Sequence, residues 1–177
     1  MQSISQLLDQ YKIRFPARME EKVQELVATG MIEMEARSHI RLKIAPGIIV
    51  DHIPTLNREV QQPVSSQLRE RFSYAGSWQD LGEHLLDPVQ MSELLHQPHF
   101  REWITMMREH REGSAPALYP DEQLSVLSVM NEENGDYTLL VWPEETAEPQ
   151  VWRYYSQQEQ QFVDLKHWLK WMNGISI

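Results

Sequence analysis

Apolar residues recur at helical spacing towards both ends of the chain and alternate at strand spacing in two stretches between. Ile4, Leu7, Leu8 and Tyr11 share one helical face behind Ser3, a good N-cap residue. Met19, Val23, Leu26 and Val27 form a second stripe that opens at Pro16 and stops at Gly30. The pattern predicts two helices paired as a hairpin. Ile40, Leu42 and Ile44 then alternate with basic residues, which predicts a half-exposed strand. Pro46-Gly47 is a turn signal, 48–53 can return as a second strand, and 54–62 reads as loop.

The middle of the chain predicts short helices. One runs from Pro63 towards Gly76. Another follows Ser77, with Trp78, Leu81 and Leu85 on one side. A third starts at Asp87-Pro88. A fourth runs from Pro98 to Gly113, with Phe100, Trp103, Ile104 and Met107 as its apolar face. Residues 113–123, with two prolines and small side chains, read as a linker. Apolar runs at 124–130, 137–142 and 150–155 predict three strands, the first two joined by Asn134-Gly135, a tight-turn signal. In the third, Trp152 and Tyr154 share one face and Val151, Arg153 and Tyr155 the other. Phe162, Leu165, Leu169 and Met172 form the stripe of a terminal helix, broadened by Trp168 and Trp171. The expected fold is α+β, a mostly antiparallel sheet with helices packed against it and a helix-rich middle segment. A length of 177 residues fits one domain over 1–177, in which 1–30 can stand as a helical annex.

Charge changes this picture in one place. The net charge of −10 is unevenly spread: residues 114–177 hold ten acidic and three basic side chains, while residues 1–60 hold eight of each. An acidic field repels nucleic acid and anionic membranes and attracts basic partners. The chain has no cysteine, which excludes disulfides, thiolate metal sites and cysteine nucleophiles. The start lacks a basic segment followed by an apolar run, and no stretch has the roughly 18 apolar residues of a membrane span. A cytoplasmic location is therefore expected.

No catalytic signature emerges. His96 and His99 are close in sequence, but Pro98 lies between them and no third ligand is evident, so no metal is expected. There is no G-x-S-x-G elbow and no phosphate-cradling glycine loop. The carboxylate pairs Glu132–Glu133 and Glu144–Glu145 fall in loops expected to be exposed, and acid–base work needs a buried carboxyl group, so none is expected of them. No catalytic residue and no cofactor is expected. An exposed aromatic residue beside the acidic loops would instead make a protein-binding patch. Its candidate residues are Glu132, Glu133, Asp136, Trp142, Glu144, Glu145 and Glu148.

The order of strand, Asn134-Gly135-Asp136 turn, second strand, Val151-x-x-Tyr154 strand and Phe162-x-x-Leu165 helix extending to Leu169 resembles the C-terminal half of the SUKH superfamily of bacterial immunity-type proteins. The likeness covers roughly residues 120–173; the L-P-x-x-[YF] and N-G-G motifs usual in the N-terminal half of members are not found. The resemblance implies a non-catalytic protein that binds and neutralises a toxin, here a basic one met by the acidic loops. The alternative is an enzyme or small-molecule binder with a site between the central helices and the sheet, where His84, Asp87, His96 and His99 would be the residues to examine.

Overall fold

The computed structural model describes residues 2–80, 82–143 and 147–176, apart from the His39 side chain. The chain opens with one helix rather than a hairpin of two. Helix α1 runs unbroken over Ile4–Ala28, with Pro16 inside it. Ser3 and Gln6 form a capping box at its start. The helix survives the proline because its buried stripe continues on both sides, through Tyr11 and Phe15 to Val23.

After α2 (Glu33–His39), the predicted strand shrinks to β1 (Lys43–Ile44), and it does not pair with the segment after Pro46-Gly47. Gly47 passes flush against the end of helix α3 (Ser66–Tyr74): a Cβ there would lie 2.0 Å from the Ser73 carbonyl oxygen. The next strand, β2 (His52–Pro54), overlaps the end of the expected return strand but forms a separate hairpin with β3 (Gln61–Pro63), most of which lies in the stretch that read as loop.

The stretch after Ser77 is also not helical. Trp78–Gln79 (β4) and His84–Leu85 (β5) form a hairpin, with Gly82 at φ +121° in the turn. The apolar spacing that suggested a helix serves a strand pair, in which Trp78 lies directly opposite Leu85. Leu81 lies outside the described residues. Helices α4 (Pro88–His96) and α5 (Pro98–His110) follow, α4 with Asp87 as its cap. The expected linker is packed structure. It holds a short helix α6 (Ala115–Leu118), with Ser114 and Ala115 buried, and a 3-10 turn at Asp121–Gln123.

Strands β6 (Leu124–Asn131), β7 (Asp136–Val141) and β8 (Gln150–Tyr155) form the expected antiparallel meander. A further strand, β9 (Gln158–Phe162), extends it before the terminal helix α7 (Leu165–Met172). Phe162 therefore ends a strand and does not belong to the helical stripe. The seven-stranded sheet has the order β1-β4-β5-β6-β7-β8-β9, with every pair antiparallel. The fold is α+β, as expected.

Paired residues share a face, so one row across the sheet runs Trp78–Leu85–Ser128–Thr138–Arg153. This row faces α1 and α7: the Tyr11 and Trp78 rings are 5.7 Å apart, and the Arg153 guanidinium lies 5.0 Å from the Trp171 ring. The opposite face packs on α5, where Phe100 and Trp103 each lie 4.9 Å from Tyr137. Trp168 is fully buried. No helix among the described residues is long and apolar enough to cross a membrane.

Candidate functional site

The structure divides the seven acidic-loop candidates. Asp136 is buried and accepts a hydrogen bond from the Ser156 amide at 2.8 Å, so it holds the β8–β9 turn. Trp142 is buried as well, and its amide donates to the Gln123 carbonyl at 3.0 Å. Glu148 accepts from the Ser66 hydroxyl at 2.5 Å and the Gln67 amide at 3.1 Å, satisfying the exposed N–H end of α3. All three are engaged by the fold itself. Sequence position placed Asp136 in a turn, Trp142 at a strand end and Glu148 in a loop, but the groups that cover or engage them come from distant segments. Glu144 and Glu145 lie outside the described residues.

Glu132 and Glu133 remain exposed, on the β6–β7 turn. Glu132 meets His99 Nε2 at 2.8 Å, which ties the turn to the first turn of α5. Gly135 seats the turn flush on Trp103. Its φ is +70°, and a Cβ there would lie 2.5 Å from the indole nitrogen. A groove of about 580 Å³ runs between turn and helix, walled by Trp103 and Met106 and rimmed by Glu102, Glu132 and Glu133. It adjoins a second depression of about 390 Å³, where Tyr155 is 43% exposed and Met106 42% exposed. The sequence pointed to Glu132 and Glu133 but not to Glu102 or the apolar wall, because Trp103 read only as part of the apolar face of α5. Trp103 does rest on Tyr137 and Tyr154, yet it leaves enough surface to line both depressions.

The histidine set has separate occupations. Asp87 accepts from the Val89 and Gln90 amides as the α4 cap. Burial lowers the pKa of His84 and of His96, and His99 is the Glu132 partner. No group of three or more histidine and carboxylate side chains that could hold a metal occurs among the described residues.

A third concavity, of about 640 Å³, lies on the opposite sheet face from the central helices. Tyr11, Arg14 and Arg18 of α1 form one wall and Trp171 and Asn173 another, above Arg153. Asp80 and Glu83, from the β4–β5 turn, enter it from the side. Burial raises the pKa of both carboxyl groups. Sequence reasoning missed this pair because it placed them on a helix; the Asp-x-Gly-Glu stretch between Trp78 and His84 was the available turn signal. No family model, no curated protein and no solved structure matches the chain.

Proposed function

We propose that this protein is a non-catalytic, cytoplasmic binding module that engages a basic protein surface through the groove between α5 and the β6–β7 turn. The reading is supported by one observation above all. Partly exposed Trp103 and Met106 form an apolar floor inside a rim of three exposed carboxylates, Glu102, Glu132 and Glu133. Apolar anchors within a polar rim are the usual makeup of a protein-recognition patch. The rim would steer a basic partner, and the anchors would slow its departure. The SUKH resemblance of residues 120–173 adds the kind of partner: a toxin whose working surface is covered by the bound protein.

The test starts with capture of the partner on the immobilised protein, identification by mass spectrometry and purification of the pair. Association is then followed with wild type and with the Glu102→Gln, Glu132→Gln, Glu133→Gln triple variant. The variant is expected to associate about tenfold more slowly at low salt, with the difference closing as the Debye length falls from about 10 to about 3 Å. Met106→Ala is expected to speed dissociation without changing the salt dependence. Equal association rates for wild type and the triple variant at every salt concentration would overturn the reading.

A further inference from the structure

We infer that the concavity between α1, α7 and the β4–β5 turn is a binding site for a small amphoteric organic molecule, one that carries both an ammonium and a carboxylate group and is about the size of an acidic dipeptide. This inference is independent of the α5 groove, which lies on the other face of the sheet.

The first argument is that opposite charges surround the cavity without collapsing into pairs. Arg14, Arg18 and Arg153 line it together with Asp80 and Glu83. Yet among the described residues none of these five takes part in an ion pair within 4.0 Å. Arginine and carboxylate side chains that can reach each other form forked pairs readily. Here other contacts hold them apart. Arg153 lies 4.5 Å from the Tyr155 ring and 5.0 Å from the Trp171 ring, Arg18 lies 5.0 Å from the Tyr11 ring, and Arg14 donates to the Asn173 carbonyl. Glu83 is held by the hydroxyls of Ser128 and Thr138. The result is a set of separated charges around a volume of about 640 Å³, within the usual range for small-molecule sites.

The second argument concerns acceptors. Asp80 is 7% exposed and Asn173 3% exposed, and both line the cavity. Asn173 Oδ1 is buried and has no hydrogen-bond partner among the described residues, whereas the Tyr11 hydroxyl and the Trp78 indole N–H are directed at the Asp80 carboxylate. Rotating the Asn173 amide does not help. Its Nδ2 already donates to the carbonyls of Leu7 at 3.0 Å and Leu169 at 2.9 Å, so the oxygen must be the atom left over. A buried acceptor without a donor is costly, and an N–H-bearing guest that reaches Asn173 Oδ1 removes that cost.

The third argument narrows the class. The rings of Tyr11 and Trp171 already carry guanidinium groups, and Trp171 also meets Phe162 at 5.5 Å, so a flat base has no open ring to stack on. Recognition therefore falls to charge and hydrogen bonding. Three guanidinium groups against two carboxylates give a local positive excess in a protein of net charge −10, which favours a guest with more negative than positive charge. Its ammonium would sit by Asp80 and Glu83, and its carboxylates by Arg14, Arg18 and Arg153.

The probe is the dipeptide alanyl-glutamate, titrated into the full chain and followed by tryptophan fluorescence, with Trp171 as reporter, and by calorimetry. Three comparisons accompany it: N-acetyl-alanyl-glutamate, which lacks the ammonium; inorganic phosphate, which is an anion only; and the Arg14→Gln, Arg18→Gln double variant, altered only at the exposed rim. Saturable binding of the free dipeptide is expected by about 10 mM, with an affinity loss of about tenfold or more on acetylation and again in the double variant. The variant's circular dichroism should match wild type. Three results would overturn the proposal: no saturable binding of alanyl-glutamate, equal binding of the acetylated form, or phosphate binding as tightly as the dipeptide. The last would make this a simple anion site. Glu83→Gln gives an independent check on the carboxylate side, since it should weaken the free dipeptide and leave the acetylated one unchanged.

Discussion

At Glu83 a carboxyl group is carried into the interior on the flank of a tight turn and kept there by two hydroxyls, those of Ser128 and Thr138. Burial is the largest influence on it and raises its pKa; the Ser128 hydroxyl and the positive charge of Arg153 oppose the rise. The folded chain therefore holds this proton more tightly than the unfolded chain does. Below the ordinary carboxylate value, about pH 4, the group makes no difference to stability. Above it, stability falls as pH rises through the raised value, because the folded state must then hold a buried charge. Asp80 acts in the same direction and His84 in the opposite one, so the pH profile of the wild type alone cannot isolate Glu83. The difference between two profiles can. Melting temperatures of wild type and Glu83→Gln measured from pH 4 to pH 8 should diverge in favour of the variant as pH rises, at about the scale set by a buried charge. A constant offset between the two curves would mean that Glu83 titrates as it would in water.

At the level of elements, helix α1 carries the one clear violation of local rules. Pro16 removes an N–H in the middle of 25 helical residues, so the Lys12 carbonyl lacks its usual partner. Both side chains are exposed, and the buried stripe lies on the other side. Pro16→Ala is therefore expected to stabilise the protein by about 1–3 kcal/mol in denaturant unfolding. A loss of stability would show that the packing of α1 on α3 and α7 depends on a bend at the proline. The proline also explains why the sequence read as two helices: only the tertiary stripe overrides it. The meander of β6, β7 and β8 was legible because alternating apolar runs and Asn134-Gly135 agree. Strand β9 was not, since Gln-Glu-Gln-Gln-Phe has no alternation, and its turn uses Ser156 and Gln157 at φ +48° and +65° where glycine or asparagine would announce it. The β4–β5 hairpin misled because Trp78, Leu81 and Leu85 also fit a helical period. Of the acidic candidates, the exposure of Glu132 and Glu133 was legible because the turn joining two adjacent strands is local, whereas the His99 partner of Glu132 on α5 was not. Asp136, Trp142 and Glu148 were not, since Ser156, Gln123 and Ser66 decide their environment. The cavity was least legible, because α1, α7, β8 and the β4–β5 turn meet only in three dimensions.

At the scale of the molecule, one hydrophobic cluster joins α1, the sheet and α7, and the acidic excess of the last third is partly absorbed into structure. The sheet itself ends differently on its two sides. β1 is two residues long, too short to offer a template. β9 closes the other side with five residues, four of them exposed, and among these Glu159 is the sole charge. A strand of that length presents an unpaired row of amides and carbonyls, and glutamine-rich segments join such rows readily. The consequence is colloidal: concentrated samples should lose monomer by edge-to-edge growth, faster as salt screens Glu159. Light scattering during prolonged incubation should show Gln158→Lys together with Gln160→Lys remaining monomeric longer than wild type, and Glu159→Gln growing sooner. Indistinguishable growth curves would place the aggregation-prone surface elsewhere and leave this border of the sheet inert towards its own copies.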